Sequence, residues 1–151
     1  MSDRPIRVLV VCTGNSARSV MAEALLRTRG GDAFEVHSAG TEPKGLNPLT
    51  LRVLEEAGIE SSWARSKSVE EYLGQSFDYV ITVCDEARQA CPVFPGVHES
   101  LHWGYEDPAL AEGSDEQRMD VFRLVFVQLG ERIGTFIPLA LRRRAGEPVH
   151  G

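Results

Sequence analysis

A cysteine and an arginine are separated by five residues in the segment Cys12-Thr13-Gly14-Asn15-Ser16-Ala17-Arg18-Ser19. A thiolate is a nucleophile, and the planar guanidinium of an arginine fits two oxygens of a tetrahedral oxyanion. Gly14 and Asn15 tolerate the left-handed backbone with which a short loop turns successive N–H groups toward one point. The pattern therefore predicts that Cys12 attacks an oxyanion held by the loop and by Arg18.

This loop lies between a predicted strand and a predicted helix. Residues 6–12, IRVLVVC, form the short valine-rich run that is typical of a buried parallel strand. The following SVMAEALLRTRGG has apolar residues at helical spacing and closes with two glycines. The start of this helix would add N–H groups and its positive dipole end to the site, which favours the thiolate of Cys12. Ser19 could donate a hydrogen bond to that thiolate.

The predicted oxyanion site consists of one continuous segment. Its members are Thr13, Gly14, Asn15, Ser16, Ala17, Arg18 and Ser19. The alternative is that Cys12 is a small buried hydrophobe at the end of a strand and that Arg18 is incidental. The position between strand and helix, with Gly-Asn inside the loop, favours the chemical interpretation.

A candidate general acid lies in the segment WGYEDPA, where Asp107 precedes Pro108 after a predicted strand. A thiolate that attacks an oxyanion must expel an oxygen, and a carboxylic acid at the entrance of the site can supply the proton. A simple Asp-Pro turn is the alternative.

The two other cysteines, Cys84 and Cys91, flank DEARQA, a run of good helix formers. In a helix their Cα atoms would be about 10 Å apart on one face, whereas a disulfide needs less than about 7 Å. A bond between them therefore requires the helix to unwind. A zinc pair is disfavoured because the spacing exceeds the usual gap of two to four residues. Two ordinary buried thiols are the other alternative.

Three thiols can form a relay. If Cys84 displaced an oxyanion held on Cys12, two electrons would pass to the bound element and leave a Cys12–Cys84 disulfide. Cys91 could then attack Cys84 and carry the disulfide to the surface. Phosphate cannot accept these electrons under such conditions, whereas arsenate can.

Strand and helix patterns alternate along the chain, which predicts an α/β fold with helices on both faces of a parallel sheet. The strands are predicted at residues 6–12, 34–40, 78–84 and 98–105. Helices are predicted from Asn47-Pro48, over SVEEYLG, and from Ser114, which forms a capping box with Gln117. Gly134 and Pro138 should kink or end the last helix. We expect one domain over residues 1–144 and a flexible tail over 145–151.

Composition excludes several classes of function. The net charge of −6 and the lack of a basic stripe argue against a nucleic-acid partner. The N-terminal apolar run is too short for a signal peptide, and no apolar segment is expected to reach the length of a membrane span. We therefore expect a cytoplasmic protein without a membrane partner. An odd number of cysteines does not suggest a structural disulfide framework.

With these motifs the chain resembles the thioredoxin-coupled arsenate reductases, which are built on the low-molecular-weight tyrosine phosphatase fold. The segments that carry the resemblance are VLVVCTGNSARS, SAG, NP, TVCDEARQACP and HWGYEDPA. The resemblance implies a doubly wound, four-stranded parallel sheet in three layers. It implies that Cys12 is the nucleophile, that Asp107 is the general acid, and that Cys84 and Cys91 are the relay pair. Arsenate would be the substrate, and thioredoxin or a mycoredoxin-type protein the reductant.

Two positions depart from the family. Ala17 replaces a cysteine that many relatives carry in the loop and that the relay does not need. Some relatives hold potassium with four residues, of which Asn15, Glu23 and Ser38 match three. Lys67 stands in the fourth place, where its ammonium group could substitute for the cation. We therefore expect no metal and no cofactor.

Two rival functions use part of the same set. A low-molecular-weight tyrosine phosphatase needs only the loop and Asp107, but DPALAEG offers no aromatic residue to hold a phosphotyrosine ring. A non-enzymatic thiol sensor or arsenite binder would use the cysteines as soft ligands and would need neither Arg18 nor Asp107. The scattered histidines, His102 among them, are expected to have ordinary packing or surface positions.

Overall fold

Four parallel strands form the central sheet of the computed structural model, which describes residues 4–96 and 98–146. They are β1 (Ile6–Cys12), β2 (Phe34–Gly40), β3 (Tyr79–Thr82) and β4 (Glu99–His102), in the spatial order β2-β1-β3-β4. The predicted four-stranded α/β fold is confirmed. The first two strands have the predicted bounds, whereas β3 and β4 are shorter than predicted.

The sheet is doubly wound, and its order reverses beside β1. The chain passes from β1 to β2 on one side and then returns to place β3 on the other side. In such sheets, ligands bind at the carboxyl ends of the strands where the order reverses. The register pairs Cys12 with Gly40 and Val11 with Thr82, so the ends of β1, β2 and β3 lie along one edge.

Four helices surround the sheet. They are α1 (Arg18–Gly30), α2 (Pro48–Glu56), α3 (Asp85–Ala90) and α4 (Asp115–Arg144). Helices α1, α2 and α4 pack against one another, and α3 packs on β1 and β3. Asn47 caps α2 and Pro48 takes its first position, as predicted. The short helix predicted over SVEEYLG is a 3₁₀ turn at Val69–Tyr72.

The core lies between the sheet and the α1–α4 layer. Leu9 of β1, Met21 of α1, Ile81 of β3 and Phe122 of α4 are fully buried. Every residue of α1 from 18 to 26 is buried, including the polar ones. The chain that follows the Cys12 loop is therefore fixed in the interior, which makes the loop itself rigid.

Neither Gly134 nor Pro138 ends α4, which continues to Arg144, so of the two predicted effects the helix end is excluded. A proline ring collides with the carbonyl one turn earlier, and residue 134 is the residue in that place. Both residues are exposed, so water can solvate the carbonyl that loses its helical partner. An added Cβ at Gly134 would meet nothing within 4 Å, which shows how open this face is.

By length and composition, α4 is the one helix of the described residues that could cross a membrane, so the expectation that no segment reaches that length is wrong. Its large buried side chains recur every three or four positions: Met119, Phe122, Val125, Leu129, Ile133 and Phe136. This spacing is typical of an amphipathic helix that packs on a protein core.

The predicted domain bounds, residues 1–144, stay a prediction. Residues 145 and 146 form a turn after α4, and the rest of the expected tail, 147–151, lies outside the described residues.

The capping box of α4 provides a test of the fold that does not involve the site. Ser114 Oγ accepts from the Gln117 N–H at 3.2 Å, and the Gln117 side chain accepts from the Ser114 N–H at 2.8 Å. We expect Ser114→Ala to lower the free energy of unfolding by about 1 kcal/mol, because one N–H at the helix start loses its acceptor. Urea denaturation measures the change. Ser114→Asp, which can still cap, should retain most of the stability, and equal losses in both variants would contradict the capping role.

Candidate active site

A cavity of about 610 Å³ opens at the carboxyl edge of the sheet, where its order reverses. Its walls include Cys12, Thr13, Gly14, Ser16, Ala17, Arg18, Lys44, Cys84, Tyr105 and Asp107. The structure thus brings together the predicted nucleophile, most of its loop, the predicted acid and the second cysteine. Cys91 lines a separate cavity of about 400 Å³ beside β3 and β4.

The loop after β1 turns its carbonyl groups away from the cavity. The Cys12 and Thr13 carbonyls accept from the N–H groups of Thr41 and Glu42 at 3.1 and 2.8 Å. The Gly14 and Ser16 carbonyls accept from the N–H groups of Lys44 and Asn47 at 2.9 and 3.1 Å. Because the N–H of a trans peptide points opposite to its carbonyl, the amides of this loop are directed inward. Inward N–H groups are the donors that an anion site requires.

Asn15 organises the loop around the nucleophile. Its φ of +46° makes it the one described non-glycine residue with a left-handed backbone, which asparagine tolerates. Its N–H donates to Cys12 Sγ at 3.1 Å. Its side-chain amide donates to Ser19 Oγ at 2.8 Å and to Ser38 Oγ at 3.0 Å. The side chain is fully buried, so these directions are fixed.

These bonds also fix the direction of the Ser19 hydroxyl. Ser19 Oγ accepts from Asn15 and lies 2.9 Å from Cys12 Sγ. Its proton therefore remains available for the sulfur atom. The Ser19 hydroxyl and the Asn15 N–H are thus both placed to donate to the Cys12 sulfur.

Behind Asn15, a buried carboxylate completes the network. Ser38 Oγ donates to Glu23 Oε1 at 2.6 Å, and Arg27 donates to Glu23 Oε2 at 2.8 Å. Lys67 Nζ lies 3.8 Å from Glu23 Oε1, and the Lys67 N–H donates to Asn15 Oδ1 at 2.9 Å. The four residues compared with the potassium ligands of the family thus lie in one buried cluster.

The ammonium group of Lys67 stands beside that carboxylate with little solvent. Burial lowers the pKa of Lys67 below its usual range, and the charge of Glu23 opposes this shift. Among the described residues, no group of three or more His, Cys, Asp or Glu side chains is arranged to hold a metal ion.

Arg18 and Asp107 form an ion pair at the wall of the cavity. Arg18 Nη1 donates to the Tyr105 carbonyl at 2.9 Å, and Nη2 lies 3.6 Å from Asp107 Oδ2. Asp107 Oδ1 accepts from the Ala109 N–H at 3.0 Å, which closes the Asp-Pro turn. Asp107 can therefore both close the Asp-Pro turn through Oδ1 and act as an acid through Oδ2, which stays at the cavity.

Cys84 is the N-cap of α3, where its Sγ accepts from the Ala87 N–H at 3.4 Å. Thr13 Oγ1 lies 3.3 Å from Cys84 Sγ and donates to Glu86 Oε2 at 3.2 Å. Because the single hydroxyl proton of Thr13 goes to Glu86, its oxygen is free to accept the Cys84 thiol proton. A path for that proton thus leads from Cys84 to a carboxylate.

Cys91 lies at the opposite end of α3, as its C-cap. The predicted helix over DEARQA is confirmed, and the two cysteines flank it with extended backbone. All three cysteines are free thiols. Cys91 is half-buried, and its burial raises the pKa of the thiol.

Sequence reasoning missed three partners in this site: Glu86, the Tyr105 carbonyl and Lys44. Each is joined to the loop only by the fold, since about 70 to 90 residues separate Thr13 from Glu86 and Arg18 from Tyr105. The acidic pair Asp85-Glu86 after Cys84 is the one sequence signal that could have drawn attention to that wall.

The fold and the loop belong to a known class of protein. Residues 7–144 match the family model described as low molecular weight phosphotyrosine protein phosphatase, and the chain belongs to that family.

Arsenate reductases are prominent among its relatives. The chain is 43% identical to the arsenate reductase of Halalkalibacterium halodurans over 129 residues, which are 85% of this chain and 93% of the relative. A solved arsenate reductase in its phosphate-binding state has a TM-score of 0.70 at 31% identity, over 88% of this chain and 97% of the other. The thioredoxin-dependent arsenate reductase of Corynebacterium glutamicum has a TM-score of 0.65 at 31% identity, over 93% of this chain and 65% of the other.

The hydroxyl of Ser19 can be tested directly. We expect Ser19→Ala to slow alkylation of Cys12 by iodoacetamide at neutral pH by about tenfold, because the thiolate loses a hydrogen bond to a charged group. Mass spectrometry of the labelled peptide reports the rate. Ser16→Ala, in the same loop, is the matched control and should react like wild type. An unchanged rate in Ser19→Ala would contradict this role.

The Lys67–Glu23 pair leads to a prediction about ions. We expect the thermal midpoint of the wild-type protein to be the same in potassium chloride and choline chloride, because Lys67 already supplies a positive charge. Lys67→Asp should be less stable than wild type in choline chloride and should recover in potassium chloride, since two neighbouring carboxylates need a cation. If potassium raised the thermal midpoint of the wild type, the idea that the Lys67 ammonium group takes the place of the cation would be contradicted.

Proposed function

We propose that this protein reduces arsenate to arsenite through a relay of Cys12, Cys84 and Cys91, and that a thioredoxin-type protein regenerates it. The observation that carries the proposal is the pair of thiols, Cys12 and Cys84, on the walls of one oxyanion cavity. A phosphatase of this fold uses only the first of them. The third thiol, at the far end of α3, supplies the exit for the disulfide.

The reaction begins with an arsenate held by the loop amides and by Arg18. Cys12 Sγ attacks arsenic, an S–As bond forms, and one oxygen leaves as water with a proton from Asp107. The inward N–H groups stabilise the oxygens as charge develops on them.

The second step transfers the electrons. Cys84 attacks Cys12 Sγ, so an S–S bond forms while the S–As bond breaks, and its electron pair goes to arsenic. Arsenic is thereby reduced from the +5 to the +3 state and leaves as arsenite, and the two thiols are oxidised to a disulfide. Thr13 accepts the Cys84 proton and passes its own to Glu86, as their distances of 3.3 and 3.2 Å allow.

The third step moves the disulfide away from the cavity. Cys91 attacks Cys84, which releases Cys12 as a thiolate. In the folded, reduced protein the burial of Cys91 raises its pKa and disfavours the attacking thiolate. Unwinding of α3 would expose Cys91, restore an ordinary pKa and bring it to Cys84. The order of the steps is thus controlled by the helix.

A dithiol reductant completes the cycle by exchange with the Cys84–Cys91 disulfide. Thioredoxin and mycoredoxin-type proteins both supply this chemistry, and the related reductase of Corynebacterium glutamicum is thioredoxin-dependent. Three free thiols suit the cytoplasm, where such reductants keep cysteines reduced. The relay needs no metal or cofactor.

Phosphatase activity is the second candidate, because the loop and Asp107 would also serve a phosphate ester. Ala109 and Leu110 line the cavity beside Asp107, where an aromatic side chain would hold a phosphotyrosine ring. We therefore propose that any hydrolysis of aryl phosphates is a weak side activity.

Arsenate-dependent oxidation of NADPH, coupled through thioredoxin and thioredoxin reductase, tests the proposal. We expect wild type to turn over and Cys91→Ser to stop after about one arsenite per enzyme, because the Cys12–Cys84 disulfide then has no exit. Cys12→Ser should release no arsenite at all.

Two outcomes would contradict this mechanism in different ways. Failure of wild type to release arsenite, together with hydrolysis of p-nitrophenyl phosphate, would leave a phosphatase. Continued turnover of Cys91→Ser would retain the reductase and show that Cys91 is dispensable. A mycoredoxin-coupled assay separates an unsuitable electron donor from an inactive enzyme.

A further inference from the structure

Helix α3, which must unwind in the proposed relay, has few anchors. It has six residues, of which Ala87 alone is buried. Helices this short are not stable by themselves in water. Its N-cap is the Cys84 thiol, a weak acceptor whose place changes as soon as Cys84 enters a disulfide. Other contacts must therefore hold the first turn in place.

One such contact joins α3 to the edge strand β4. His102 Nε2 lies 3.0 Å from Asp85 Oδ1, at the first position of α3. The other ring nitrogen, Nδ1, lies 2.8 Å from the hydroxyl of Thr82, which is buried at the end of β3. The imidazole is thus fixed at both nitrogens, and the sheet side of the contact is rigid. Because the Asp85 side chain is mostly exposed, the contact with His102 is what fixes its position.

We infer that His102 and Asp85 are positioning residues. Their contact, called the latch below, holds the first turn of α3 to the sheet and so adds to the free energy needed to unwind α3 and bring Cys91 to Cys84. The inference rests on the proposed relay, because only that function requires α3 to open. The latch connects a strand that stays in place to a helix that must unwind. It therefore stabilises the dithiol form and not the Cys84–Cys91 disulfide form.

The position of the latch also explains why it leaves the earlier steps alone. It acts at the end of α3 that carries Cys84, so the second thiol keeps its place at the oxyanion cavity until the disulfide has formed. Once Cys84 is bonded to Cys12, its sulfur no longer caps α3 as a free thiol. Two polar contacts then still hold the first turn: His102–Asp85 joins it to strand β4, and Thr13 Oγ1–Glu86 Oε2 joins it to the loop after β1.

The redox equilibrium of Cys84 and Cys91 measures the latch without arsenate. In a Cys12→Ser background these two are the only thiols, and the disulfide is titrated against dithiothreitol. We expect Asp85→Asn and His102→Gln each to shift the equilibrium toward the disulfide by about two- to fivefold, which is the effect of losing one partly exposed hydrogen bond. This corresponds to a reduction potential more negative by about 9 to 20 mV.

A double-mutant cycle separates the contact from other effects of each residue. Asp85 also favours the helix dipole, and this contribution persists when His102 is replaced. We expect the double variant to shift the equilibrium by less than the product of the single shifts. Asp115→Asn, at the same first position of α4, controls for the loss of one surface carboxylate and should leave the equilibrium unchanged.

The outcomes distinguish the latch from the relay. If both single variants leave the equilibrium constant unchanged, or if their effects multiply fully, the latch is overturned while the relay stands. If Cys84 and Cys91 form no disulfide even in strongly oxidising buffer, the proposed relay itself fails. Asp85→Asn keeps the test decisive if His102→Gln does not fold, since Asp85 lies on the surface.

Discussion

The loop between β1 and α1 directs its N–H groups toward the cavity because its carbonyl groups are hydrogen-bonded elsewhere. Segment 41–47 supplies these donors, and it must approach the loop closely to do so. Gly40, at the end of β2, makes the approach possible, since a Cβ there would lie 2.5 Å from the Thr13 carbonyl oxygen. The pairing of β1 with β2, the turn after β2 and the capped start of α2 all maintain this one arrangement.

The proposed arsenate reduction and the rival phosphatase reaction would use the same cavity. The residue that distinguishes them is Cys84, which follows β3. In the proposed mechanism, the loop, Arg18 and Asp107 serve the transfer of a tetrahedral group to the Cys12 thiol. What happens next depends on whether water or a second thiol reaches the adduct. The reversal of strand order brings the end of β3 beside the end of β1, so Cys84 lines the same cavity as Cys12. A change of reaction class thus needs side chains on one neighbouring strand end and no change in the sheet.

Local signals in the sequence were sufficient for much of the fold. The valine-rich run of β1, the Asn47-Pro48 start of α2 and the Ser114 capping box depend on residues close in sequence, and the structure matches them. Whether Pro138 ends α4 or lies within it could not be decided from the sequence, because the cost of a proline depends on what faces it, and there it faces an exposed glycine. The partners of the site side chains could not be predicted either. Thr13 and Glu86, or Arg18 and the Tyr105 carbonyl, meet only after the sheet has formed.

Cys91 and the oxyanion cavity open at different places on the surface. In the proposed cycle, arsenate enters and arsenite leaves through the oxyanion cavity, while the reductant binds beside Cys91. A reductant that waits at Cys91 would therefore not obstruct the entry of the next substrate. The trivalent product, which binds avidly to paired thiols, would be released away from the dithiol of the electron donor. In the proposed cycle, this separation would keep arsenite away from the dithiol of the reductant.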